Sequence, residues 1–244
     1  SGTTPSFTNT GTITIGATRT WTVTTGTVNF SAGTVGGAGT LALNSLTANF
    51  AAAFTNTTTT LVPSNSTLNG PGTLTNAAGQ TLTLTSSTVA ASMPLVNQGV
   101  LVVHGSSAIN GLFTAAPGST LRMEGSGVGT GTLTVASGFT NDGLIELTNN
   151  SANQPATLTV TTGTLTNAAT INVLAGGGAP TINAQLDNQA PGTLTLNQPL
   201  TLPQAGAVHT NSGTINVTGA DWTLTQSGTT PSFTNTGTIT IGAT

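Results

Sequence analysis

The sequence predicts an all-β chain wound as a parallel β-solenoid, with about ten rungs of roughly 22 residues in each 226-residue repeat. Three observations carry this expectation. The composition favours extended backbone, the chain repeats itself at two periods, and one corner motif recurs with a fixed arrangement of apolar residues.

Of 244 residues, 57 are Thr, 32 are Gly and 22 are Asn, while only 3% are charged. Thr, Val and Ile carry two heavy atoms on Cβ, which crowds a helix and suits a strand. Only Ser45 to Phe54 could pass for a short helix. Mean hydropathy is +0.18 and net charge is −3, so the chain lacks the polar, highly charged signature of disorder.

The same numbers exclude several functions. Two Arg and no Lys cannot neutralise a row of phosphates, so no nucleic-acid partner is expected. The absence of Cys removes disulfides, thiolate zinc sites and cysteine nucleophiles. The chain holds no apolar run long enough to span a bilayer, so no membrane span is expected. The charge-poor, Thr-rich composition points to a secreted, extracellular protein.

Residues 1–18, SGTTPSFTNTGTITIGAT, return unchanged as residues 227–244, which sets a 226-residue long period. The simplest reading is one repeat plus the opening segment of the next, cut from a tandem array, and an engineered duplication is the alternative. A single continuous solenoid segment over 1–244 is expected, and neither end reads as a cap.

The shorter period is an apolar residue, then x-Asn-x-Gly-x, then an apolar pair. It reads Phe7-Thr-Asn9-Thr-Gly11-Thr-Ile13-Thr-Ile15, and it returns at Leu95 to Val103, Phe139 to Leu147, Leu165 to Val173 and His209 to Val217. Weaker copies put their pairs at Leu41/Leu43, Leu61/Val62, Leu82/Leu84 and Leu121/Met123. First apolar residues fall at 13, 41, 61, 82, 101, 121, 145, 171, 194, 215 and 239, a mean step of 22.6. A second strand precedes the motif at Trp21/Val23, Leu133/Val135, Leu158/Val160 and Trp222/Leu224.

Alternation at period two puts each apolar pair on one face and its Thr neighbours on the other. Coils stacked once per unit would align like residues into columns, with hydrogen bonds along the axis. A β-sandwich is the competing fold. The corner Asn residues, Asn9, Asn56, Asn76, Asn97, Asn141, Asn167, Asn188, Asn211 and Asn235, should form a structural ladder. Asn tolerates left-handed backbone, and its amide can bond the next rung about 4.8 Å away.

The recurring Asn-x-Gly-Thr-Ile-x-Val line resembles the repeats of filamentous-haemagglutinin-type exoproteins and autotransporter adhesins of bacteria. The resemblance implies a right-handed solenoid, secreted to a microbial surface, acting as a long rod in adhesion or biofilm.

A search for chemistry finds no catalytic constellation and no cofactor or metal site. The acids are Glu124, Asp142, Glu146, Asp187 and Asp221. Rung alignment places Arg122 beside Glu146, which predicts a cross-rung ion pair rather than a catalytic pair, with Glu124 close by. His104 and His209 lie several rungs apart and cannot share a metal. Outward Thr pairs such as Thr12/Thr14 and Thr193/Thr195 suggest an ice-binding lattice, but Val100/Val102 and Leu144/Glu146 break it. In an array, Trp222 and the next copy of Trp21 would lie on adjacent rungs, where stacked indoles could also offer a platform for surface glycans. The expected function is a non-catalytic segment of a surface fibre or adhesin stalk whose main partner is itself. The alternative is a carbohydrate- or surface-binding module.

Overall fold

A computed structural model describes residues 5–151 and 153–242. Every regular element in it is a β-strand, and all strand pairs are parallel. The strands stack into a β-solenoid of about 11 turns. Ser45 to Phe54 forms no helix. Its Thr47–Phe50 stretch is a strand with alternating burial, because Ala48 and Phe50 complete an inward column.

Each coil visits three strand columns in turn. The first begins with Ser6–Asn9, Thr27–Phe30 and Thr47–Phe50. The second holds Leu74–Asn76, Leu95–Asn97 and Phe113–Ala115, and ends with Val208–Asn211 and Ser232–Asn235. The third runs from Thr20–Thr24 and Thr40–Asn44 to Thr214–Val217 and Thr238–Ile241.

The third column shows why the sequence winds this way. Leu41/Leu43, Leu82/Leu84, Leu101/Val103, Leu121/Met123, Ile145/Leu147, Ile171/Val173, Leu194/Leu196 and Ile215/Val217 lie in register and are buried. Each such side chain contributes about 1.5–3 kcal/mol on leaving water. The expected pair Leu61/Val62 is corrected to Leu61/Pro63, since Val62 faces outward and Pro63 pairs with Leu43.

The corner from the third column to the first turns on a left-handed residue, joined in the first coil by Gly26 at φ 82°. Thr25, Ser45, Asn65, Ser86 and Gly105 hold it in five successive coils, with φ of 61°, 53°, 49°, 47° and 62°. Behind it runs a buried serine column. Ser66 Oγ accepts from Leu46 N, Ser87 Oγ from Ser66 N and Ser107 Oγ from Ser87 N, at 3.1–3.2 Å. None of the ladder Asn residues has positive φ, contrary to the expectation that their corner would be left-handed. There the Gly is required by crowding instead. A Cβ on Gly143 would lie 2.3 Å from Ser119 O, and one on Gly213 would lie 2.2 Å from Gly192 O.

The first coil departs from the expected alignment. Ile13 pairs with Val35 in the second column, and it is Trp21 that pairs with Leu41. As a strand, Thr34–Gly36 pairs with Thr12–Thr14 and not with Phe54–Thr55. An apolar slot of about 190 Å³, lined by Phe30, Val35, Phe50 and Phe54, opens between those two coils.

Candidate functional site

The Asn ladder is the longest polar feature. Asn56 Nδ2 donates to Asn76 Oδ1 and Asn76 Nδ2 to Asn97 Oδ1, both at 2.7 Å. Asn97 then turns to Thr120 O at 2.9 Å, because the next rung carries Ala115. The ladder resumes as Asn141, Asn167, Asn188, Asn211 and Asn235, with links of 2.8, 2.7, 2.6 and 2.6 Å. Several members also close their corner by bonding the carbonyl that opens the next rung, as Asn141 does to Thr170 O at 3.0 Å. The amides are satisfied by one another and by backbone, so they hold coils together and offer nothing to a ligand.

Asn9 is corrected out of this ladder. It lies in the first column opposite Phe30, although its local bonds match those of the others. Its Oδ1 accepts from Gly11 N and its Nδ2 donates to Thr34 O, both at 3.2 Å. A second ladder escaped sequence reasoning. Asn49 Nδ2 donates to Asn29 Oδ1 at 2.7 Å, and Asn69 Nδ2 to Asn49 Oδ1 at 2.9 Å. The even spacing of Asn29, Asn49 and Asn69 was its signal.

The charged residues gather on the outer face of the third column. Arg122 and Glu146 are register partners on adjacent coils, and Nε and Nη2 of Arg122 both lie 2.7 Å from Glu146 Oε2. One position along, His104 Nε2 is 3.2 Å from Glu124 Oε1, and Asn150 Nδ2 also donates to Glu124. Four of the nine titratable side chains therefore meet on three adjacent coils, each engaged by a neighbour. The guanidinium is held on Oε2 of Glu146, and the imidazole and amide on Oε1 of Glu124, so both contacts tie neighbouring coils together. Among the described residues, no three His, Cys, Asp or Glu side chains come together to hold a metal.

His209 sits apart, buried in the second column between Leu186 and Phe233. Its Nδ1 accepts from Leu186 N at 3.2 Å, and burial lowers its pKa from the usual 6.5. It is a neutral core histidine.

The indoles do not stack on each other within the chain. Trp21 lies near the amino end, edge-on to Phe7 at 5.4 Å, and Trp222 near the carboxyl end, edge-on to Phe233 at 5.9 Å. Both pack against the core. Trp222/Leu224 forms no strand, although Trp222 and Leu224 still alternate inward like strand residues. No family model, curated protein or solved structure matches the chain. Among the described residues, no helix is long and apolar enough to cross a membrane.

Proposed function

We propose that the chain is a non-catalytic structural segment of a secreted cell-surface fibre or adhesin stalk, built from tandem 226-residue repeats. One observation carries the reading: a single inward core and its axial hydrogen bonds run through every coil, in a sequence that returns to its starting residues after 226 positions. Stability in such a stack is the sum of rungs and their interfaces, so it grows with length. A chain with no Lys, no Cys and only two Arg gives trypsin-like proteases and reductants little to attack. The glycan-platform alternative depended on exposed, stacked indoles, and their packing against the core favours the fibre.

The test is electron microscopy of a chain of three consecutive periods. Ten coils at about 4.8 Å give about 48 Å per period, so the expected particle is a rod of about 150 Å. Compact particles would overturn the reading.

A further inference from the structure

Residues 1–18 and 227–244 are identical, yet their described parts occupy different columns. At the amino end, Phe7 pairs with Val28 in the first column, Ile13 with Val35 in the second and Trp21 with Leu41 in the third. At the carboxyl end, Phe233 pairs with His209 in the second column and Ile239 with Ile215 in the third. The two placements do not conflict, because they use opposite edges of the same coil. The amino copy bonds only to the coil that follows it, and the carboxyl copy only to the coil that precedes it.

We infer that consecutive repeats join with an offset of one column in three, so that each repeat is seated about a third of a turn around the rod from the one before. The inference rests on the tandem reading above. When the two copies are treated as one coil, the second column of a repeat continues as the first column of the next, through Phe233, which is Phe7, onto Val28. The third column continues as the second, through Ile239, which is Ile13, onto Val35. The first column, where Trp222 and Leu224 lie, continues as the third through Trp21 and Val23.

Three further features agree. Asp221-Trp-Thr-Leu-Thr and Thr20-Trp-Thr-Val-Thr are alike and would be stacked partners at the joint. Phe7 meets Trp21 edge-on and Phe233 meets Trp222 edge-on, so at the joint one Phe is held by an indole on each side. The anomalously long step from Ile13 to Leu41 is also explained. Ile13 to its partner Val35 is one full coil, and Val35 to Leu41 moves on by one more column, giving one and one-third coils.

The period is then ten and one-third coils, from Phe7 in the first column to Phe233 in the second. A given residue returns to the same column only after three periods, 31 coils and about 150 Å. The interaction surface at each joint takes another copy of this sequence. The Arg122–Glu146 ion pair and the neighbouring His104–Glu124 contact are then presented on three sides of the rod in succession.

The test uses cysteine pairs in the middle of a chain of three periods, since the sequence has no Cys of its own. Parallel neighbours about 4.8 Å apart lie within disulfide range. Thr22→Cys with Ala42→Cys should crosslink, and so should Asn216→Cys with Thr14→Cys of the following period, which is the equivalent of Thr240. Thr14→Cys with Ala42→Cys should not. Crosslinking of that last pair, or failure of either of the first two in a rod seen by electron microscopy, overturns the offset and leaves the fibre standing. Absence of a rod overturns the fibre reading itself.

Discussion

Replacing Asn167 by Asp keeps the shape of a buried ladder rung and removes its two donors. Asn167 is fully buried, and its Oδ1 accepts from Asn141 at 2.8 Å. Its Nδ2 donates to Asn188 Oδ1 at 2.7 Å and to Thr193 O at 3.2 Å. A carboxylate there faces two acceptors with nothing to give. Each buried acceptor left unsatisfied costs about 1–3 kcal/mol, so the loss at pH 7 should be about 2–6 kcal/mol. Burial and the facing oxygens push the new carboxyl above its ordinary pKa of about 4. A raised folded-state pKa means that protonation favours the fold, so the penalty should shrink as pH falls toward 4, where the acid regains one donor. Asn167→Ala loses these bonds and the one accepted from Asn141, with no titratable group, and its deficit should not ease in this way. The assay is urea unfolding followed by circular dichroism at pH 7 and pH 4, for both variants and the parent, with equal slopes required. A loss under about 1 kcal/mol at pH 7, or an Asp deficit unchanged at pH 4, would refute the account of the ladder as a mutually satisfied buried network.

Three other outcomes are expected. Because burial lowers the pKa of His209, the unfolded chain takes up a proton below about pH 6.5 before the folded chain does. Stability should therefore decline as pH falls below that value, and levelling should come only once the lowered pKa is reached. Midpoints measured from pH 8 to pH 5 should lose this component in His209→Leu, and an unchanged slope would sink the assignment. Ser45→Gly should stabilise by about 0.5–1 kcal/mol by relieving a left-handed corner, while Gly143→Ala should cost about 2 kcal/mol or more through its collision with Ser119 O. Paired thermal melts read both, and the ranking fails if the two shift alike. Arg122→Ala should cost no more than about 1 kcal/mol, since the Arg122 side chain is 37% exposed, and about 0.5 M salt should reduce the difference. A larger or salt-independent loss would contradict a surface pair.

Much of this was legible in the residues. The Asn-x-Gly-x-Ile-x-Val line places Asn141, Asn167, Asn188, Asn211 and Asn235 at one corner, because strand alternation and a fixed coil length leave them no other position. Asn56, Asn76 and Asn97 follow from the same spacing. The position of Asn9 was not legible. Its local motif is the same as the others, and only pairing to Val28 and Phe30 decides which column it enters. The left-handed corner also escaped notice, since Thr25, Ser45, Asn65 and Ser86 share a conformation and no common side chain. The facing of Trp21 and Trp222 could not be read either, since an indole suits an inward column as well as an outer face.

The direction of the amide links has a consequence of its own. From Asn141 to Asn235 every link donates toward the following coil, so the amide dipoles lie head to tail and polarise one another. The shorter row from Asn69 to Asn29 points the other way. The two rows therefore distinguish one end of the coil stack from the other by the direction of donation alone.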